Sequence, residues 1–437
     1  MTKCLALHGG PPAVSAPFPH EVWPPPPTAD ELAEIGGQRQ HDISIKGRTG
    51  PIRALEDEAL ATLVDGIPKY CVSFNSGTSA LLAAYVGMGV GPGDEVIGPA
   101  LTFHAALSPS YLLGATVKLV DICRDDRCMD PEKLLTAIST RTKVVVVVHQ
   151  WGHPADMAAI TAALKGRGIK LLEDCSHAHG SRLLGQPCGT YGDAAVFSLQ
   201  ANKAVYAGEG GLLVTNDAEV HARATLLGHY RDRCRDELSG TPHSRFWATG
   251  FGQKFRMSPL NAVIARHSLK RFPEVKTGRT QCLSYFRERL AEVTYIEPPA
   301  VRPGVDMGGW YGFKPLVRPE RIPGVTREVL IRALNAEGVD VSAPSGGLLA
   351  REPLFAEPTD PIHGRSRASC AFRPGDFPVA EHVEAWGLSL PTFYNPTSDL
   401  AVIDQYIDAF VKVGNAAHQL AGKPNDAKII NTHGAGA

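Results

Sequence analysis

The chain has 437 residues, 20% charged and 43% hydrophobic, with a formal net charge of −1. That length predicts a large domain plus a smaller one. The near-neutral charge argues against nucleic acid or a membrane surface as partner and leaves small molecules. Nine cysteines without a Cys-x-x-Cys pair or a Cys/His ladder predict a reducing compartment and no metal site. With no basic leader and no apolar run long enough to cross a bilayer, a cytoplasmic location is expected.

Residues 1–27 read as an N-terminal arm ending in the prolines 24–27, either wrapped on a partner subunit or extended over the surface. Thr28 to Glu31 forms a capping box that opens a helix through Glu34. Arg53 to Asp65 has helical spacing, and Tyr70 to Phe74 is a short strand. The turn Asn75-Ser76-Gly77-Thr78-Ser79 leads into a helix over Ala80 to Met88. A glycine there lets the backbone approach a ligand, and the free amides of a helix start favour an anion; an ordinary turn capped by serine and threonine has the same pattern.

A strand over Glu95 to Gly98 delivers Phe103 and His104 to its carboxyl end, where Phe103 either stacks on a heteroaromatic ring or joins the core. Val117 to Val120 and Val144 to His149 are continuous apolar runs suited to central parallel strands. The second run brings His149 to the same edge, with Trp151 beyond it as packing, and Asp156 caps a helix starting at Met157.

The stretch Lys170 to Gly211 concentrates ionisable groups at strand ends. A buried strand over Ile169 to Leu172 ends on Glu173 and Asp174, where an open parallel sheet presents its carboxyl edge to a ligand. A second apolar run, Ala194 to Leu199, contains Ser198; Lys203 follows, and then the turn Gly208-Glu209-Gly210-Gly211. A lysine with a depressed pKa can attack an aldehyde, and an aspartate can hold a heteroaromatic nitrogen protonated. Together they are what pyridoxal 5'-phosphate (PLP) requires. From spacing alone, a solvated loop lysine and a helix-capping aspartate account for the same positions.

Gly9-Gly10-Pro11-Pro12, Ser76-Gly77-Thr78-Ser79-Ala80-Leu81, Pro92 through Ile97, Thr102-Phe103, Glu173-Asp174-Cys175, Phe197-Ser198 before Lys203, and Gly208 through Gly211 occur in one order. From about residue 6 to about residue 415, the chain resembles the DegT/DnrJ/EryC1/StrS sugar and cyclitol aminotransferases. The resemblance implies an α/β fold: a large doubly wound, mainly parallel-sheet PLP domain of the aspartate-aminotransferase kind, with a smaller C-terminal α+β domain. It implies Lys203 as the Schiff-base lysine and Asp174 as the partner of the ring nitrogen. Gly77, Thr78 and Ser198 would bind the phosphate, Phe103 would stack on the ring, and His177 would bond the phenolic oxygen. His179 has weaker support and His104 no role.

The implied reaction moves an amino group from L-glutamate or L-glutamine to a keto-sugar or cyclitol ketone, in natural-product biosynthesis. The form of the EDCxHxHG stretch together with Gln200 lies nearer the branch acting on cyclitol ketones and aminohydroxybenzoate precursors. The chain departs from the family at Lys254, where most members have an asparagine that reaches the neighbouring subunit's phosphate. A homodimer with shared sites is expected, Lys254 taking that role in trans as a point charge. The departure keeps alternatives open: a PLP-dependent decarboxylase, an oxygen-using amino-acid oxidase or monooxygenase, or a non-catalytic PLP-binding protein.

The remaining divisions are a large domain over 28–280, a smaller one over 281–421, and a disordered tail over 422–437. Within the smaller domain, helices are expected over Gln281 to Ala291, Arg327 to Ala336 and Leu400 to Val413, and strands over Phe313 to Val317 and Val339 to Val341. Residues 342–395 read as a loop-rich border to the substrate entrance.

Overall fold

The computed structural model describes residues 4–362, 364 and 372–422; the expected tail beyond Gly422 lies outside them. A seven-stranded sheet organises the chain. Its strands are β1 (Tyr70–Phe74), β2 (Glu95–Pro99), β3 (Thr116–Val120), β4 (Thr142–Val148), β5 (Lys170–Asp174), β6 (Ala194–Ser198) and β7 (Gly211–Thr215), in the spatial order β1-β7-β6-β5-β4-β2-β3. The β5–β6, β4–β5, β2–β4 and β2–β3 pairs are parallel, and β7 runs antiparallel to both β1 and β6. Val144 to Val148 are buried, as a strand covered on both faces requires.

Strand β7 was not anticipated, because its first residue closes a glycine-rich turn and its run is short. Several helices begin or end elsewhere than expected. Helix α1 (Ala29–Arg39) continues past Glu34, although Thr28 caps it by accepting from Glu31 N. Helix α3 (Gly77–Gly87) starts at Gly77 instead of Ala80, so the Thr78 and Ser79 amides belong to its first turn. Between these two, α2 (Gly50–Val64) starts before the expected Arg53 and ends one residue short of Asp65, which caps it in a left-handed conformation. The segment read as a helix over Gln281 to Ala291 is the end of α4 (Pro259–Leu290), which passes through Pro273. Packing on both sides outweighs the hydrogen bond that a proline removes.

Helix α4 also crosses residue 280. Ala262, Ala265, Leu269 and Phe272 pack beneath the sheet with α2, whereas Cys282, Leu283, Phe286 and Leu290 belong to a C-terminal core. That second core is completed by α5 (Arg327–Ala336) and α6 (Pro396–Asn415), the latter longer than expected at both ends. Val339 and Val341 are buried but form no strand; the neighbouring bridge is Ser342 with Ser389. Leu316–Val317 pairs with Ile296–Glu297, a shorter strand than expected. The described residues of 342–395 hold helical turns over Pro353–Ala356 and Pro378–Trp386, so they are less loop-like than their proline and glycine content suggests.

The N-terminal arm packs along its own chain. The Glu337 carboxylate accepts from Ala6 N at 2.8 Å and Ala13 N at 3.0 Å. His20 meets the Tyr406 hydroxyl at 2.6 Å, and Glu21 accepts from Thr392 N and Oγ1, each at 3.0 Å.

Candidate functional site

Sheet register gathers the predicted residues at one edge. Phe74 pairs with Gly211, Gly211 with Ser198, Val196 with Asp174, and Asp174 with Val148. The loop into α3, the end of β5 and the end of β6 are therefore neighbours. Contact there is tight. A Cβ on Gly77 would stand 2.8 Å from Ser198 Cβ, and one on Gly211 would stand 2.4 Å from Ser76 O, so a side chain at either position would force its neighbour to shift. Ser76 caps α3 by accepting from Ser79 N at 3.0 Å, while Thr78 is exposed on the first turn.

Lys203 lies in the loop joining β6 to β7. That loop is tied by Leu199 N to Gly210 O at 2.8 Å, Ala207 N to Leu199 O at 2.7 Å and Ala201 N to Gly208 O at 2.9 Å. The Lys203 ammonium sits 4.1 Å from the centroid of the Tyr311 ring. Burial lowers its pKa to about 8 against the opposing pull of Asp174. Burial raises the pKa of Asp174, opposed by the Ser176 N–H at 3.0 Å and by Lys203 and His149.

His177 stacks on Tyr311, with ring centroids 4.1 Å apart and planes 9° apart. Its Nδ1 accepts from Trp151 N at 3.4 Å, and burial, then Lys203 and Lys314, hold its pKa well below the usual histidine value. Acceptance at Nδ1 puts the proton of the neutral ring form on Nε2. Trp151 takes up φ 54°, a left-handed conformation uncommon outside glycine.

Phe103 is 55% exposed at the carboxyl end of β2, so it is not a core residue. His104 beside it bonds Ser108 Oγ at 3.1 Å. His179 is buried against Phe197, and burial, then Lys203, pushes its pKa down to about 3. His149, open from the sequence, is structural: Nε2 meets Glu173 Oε2 at 3.0 Å and Nδ1 accepts from Ala155 N at 3.1 Å. Lys254 is exposed and has no hydrogen bond or ion pair among the described residues; its backbone bridges His229. Three groups of ligand-type side chains exist among the described residues; Glu173 in one is fully engaged, and Asp126, shared by the other two, faces Arg302 at 2.9 Å.

Tyr311, Lys314, Arg279 and Glu21 were missed. Their positions depend on contacts between distant segments, such as Glu21 with Thr392 and Arg279, which no local pattern signals.

A family model for DegT/DnrJ/EryC1/StrS aminotransferases matches residues 39–404. The chain belongs to this family. Among the relatives of this family member is the L-glutamine:scyllo-inosose aminotransferase of Streptomyces griseus, 32% identical over 77% of this chain and 80% of the relative. Another is the L-glutamine:2-deoxy-scyllo-inosose aminotransferase of Streptoalloteichus tenebrarius, 32% identical over 80% of this chain and 83% of the relative. Among solved structures, an aminotransferase from Psychrobacter cryohalolentis superposes with a TM-score of 0.79 at 26% identity, covering 92% of this chain and all of that one (100%). A 3-amino-5-hydroxybenzoic acid synthase gives 0.76 at 26% identity, covering 91% and 98%. This family member is an aminotransferase of mixed α/β fold with a mostly parallel central sheet, and no helix among the described residues is long and apolar enough to cross a membrane.

Proposed function

We propose that the protein uses PLP to move an amino group from L-glutamine or L-glutamate to a cyclitol ketone or keto-sugar, in natural-product biosynthesis. The observation that carries this reading is the convergence of Lys203, Asp174 and His177 in one buried site, where Lys203 and Asp174 act on each other and His177 lies beside Lys203. The two scyllo-inosose relatives favour a cyclitol ketone and glutamine.

The residues suit PLP. A buried carboxylate without a matched cation is costly, and a protonated ring nitrogen opposite Asp174 would relieve that cost. The exposed Phe103 ring offers a face for stacking. The close approach of Gly77 to Ser198 leaves backbone amides and a hydroxyl for a phosphate at the start of α3, with Thr78 beside them. His177 would donate its Nε2 proton to the phenolic oxygen. When bound, PLP supplies a carbonyl carbon that takes up the amino group and a ring that withdraws electrons from the bond being broken.

Lys203 would hold the cofactor through its amine, and the same amine, when free, would take up or give the proton at the donor's α-carbon; a pKa of about 8 keeps a working fraction neutral. We also propose that the large and small domains divide near residue 280, inside α4, and that the protein is a cytoplasmic homodimer in which Lys254 reaches the partner's phosphate. The exposure of Lys254 and its lack of a partner among the described residues support that role.

The test is anaerobic addition of L-glutamine to the PLP-loaded protein. Loss of the visible absorbance band with stoichiometric release of the 2-oxo acid is expected, followed by recovery of the band on adding scyllo-inosose or a keto-sugar. Carbon dioxide release or oxygen uptake in place of keto acid would overturn the reading.

A further inference from the structure

Lys314 is a second lysine at the site. Phe313 is buried and bridges Leu390, so alternation turns Lys314 to the other side. A Cβ on Gly312 would lie 3.1 Å from Lys314 Cε and 3.2 Å from Trp151 Cδ1, so glycine makes room for the lysine stem against the tryptophan that bonds His177. The ammonium donates to Ser389 Oγ, its one hydrogen-bond partner among the described residues. An ammonium has three protons to give, and two are uncommitted.

The surrounding charges do not balance. Arg279, 1% exposed, donates to Gly309 O at 2.8 Å and lies 4.2 Å from the Trp23 ring centroid, and its Nε has no hydrogen-bond partner among the described residues. Glu21, on the N-terminal arm, is the carboxylate acting on both cations, and it is already held by Thr392, with Arg279 at 4.0 Å. Two cations thus share one engaged carboxylate. Burial lowers the Lys314 pKa to about 8, opposed by Glu21. A ligand's anion would complete the cluster.

The cluster also borders the cleft. Ser389 exchanges backbone hydrogen bonds with Ser342, at 3.1 and 2.8 Å, and the segment after Ser342 runs across to β2. There Leu349 N donates to Ala100 O at 2.8 Å, and a Cβ on Gly346 would be 3.7 Å from Thr102 O, next to Phe103.

We propose that Lys314, supported by Ser389, receives the α-carboxylate of the amino donor. The proposal rests on the donor reading above, since glutamine has no other carboxylate. An amine without a carboxylate handled in the reverse direction, such as an aminocyclitol, would not need it.

The experiment compares PLP-loaded wild type with Lys314→Met, Lys314→Arg and Ser389→Ala. The first probe is glutarate, a dicarboxylate without an amine, measured by calorimetry beside uridine diphosphate. Lys314→Met should weaken glutarate about 10–100-fold, the range for losing a charge-assisted hydrogen bond. Lys314→Arg should restore most of the affinity, Ser389→Ala should show a smaller loss, and uridine diphosphate should be unaffected. The second probe is anaerobic single turnover: the half-saturating L-glutamine concentration should rise by a similar factor at a limiting rate within about twofold, with scyllo-inosamine unchanged.

Equal glutarate affinity in wild type and Lys314→Met would overturn the proposal, as would a loss shared with uridine diphosphate or scyllo-inosamine, which would assign Lys314 to the acceptor. If wild type releases no keto acid from glutamine, the donor reading fails by itself, while glutarate calorimetry still decides whether Lys314 binds carboxylate. Should Lys314→Met not fold, Lys314→Gln drops the charge while keeping a bond to Ser389 and carries the same comparison.

Discussion

Glu173 and Asp174 are consecutive on β5, point to opposite faces of the sheet and meet opposite fates. Glu173 is 0% exposed and accepts from Gly189 N at 2.8 Å, Tyr191 N and Gly192 N each at 2.7 Å, and His149 Nε2 at 3.0 Å. Asp174 is 6% exposed and accepts from Ser176. A carboxylate whose lone pairs are filled by backbone N–H groups is architecture: it pins the 189–192 turn to the sheet. A carboxylate buried nearly as deeply with so few donors is held in a state that a ligand completes. The Glu56 cluster repeats the first pattern, with Arg233 at 2.7 and 3.0 Å, Arg48 at 2.7 Å and Ser73 N and Oγ at 2.8 Å. The Lys203 and Lys314 neighbourhoods repeat the second.

The largest effect should come from Lys203→Ala, which removes anchor and proton carrier together. Transamination should fall by at least about 10³-fold, and the visible band of the anchored cofactor should disappear; a retained band would reassign the anchor. Next is the pair on β5. Asp174→Asn should cost about 10²–10⁴ in turnover and leave the chemical-denaturation midpoint of the cofactor-free protein unchanged or higher, because it removes an undercompensated charge. Glu173→Gln should do the reverse, costing about 3–5 kcal/mol of stability, the cost of breaking a buried charged network. If both substitutions fell mainly on stability, the distinction between the two carboxylates would be lost.

A smaller effect is expected at Gly77→Ala, whose Cβ must displace Ser198. The protein should fold, with PLP affinity about tenfold weaker by fluorescence titration, equivalent to about 1.4 kcal/mol. The smallest is a pH effect. Lys203 has a folded pKa of about 8, below its unfolded value, so between that pH and the ordinary lysine range the unfolded chain binds more protons. Stability contributed by this site therefore rises with pH across that window. Melting temperatures of cofactor-free wild type and Lys203→Met, compared from pH 7.5 to pH 9.5, should show wild type gaining on the variant; a constant difference would place Lys203 in water.

The central strands were legible because their apolar runs need burial on both faces, and Tyr70 to Phe74 ends where expected. Helix caps at Thr28 and Asp156 were legible because a side-chain oxygen accepting a free amide is a local event. Less legible was β7, whose partners β1 and β6 lie on either side in space but far apart in sequence. The passage of α4 through Pro273 was hidden for the same reason: the two cores that hold it are assembled from distant segments.

At the site, the residues that touch a strand end were readable by type and position: Lys203, Asp174, Ser198, Phe103 and the glycine turn at Gly77. Their order along the chain and the family they resemble determined the reaction class. What only the tertiary structure decided is how each charge is answered. Tyr311 lies under Lys203, His177 takes its tautomer from the Trp151 N–H, His149 is spent on Glu173, and Glu21 crosses from the far N-terminus to Thr392. Local sequence carries backbone preference and apolar periodicity. A protonation state depends on burial and on partners brought together by the fold, so it is settled by the folded chain.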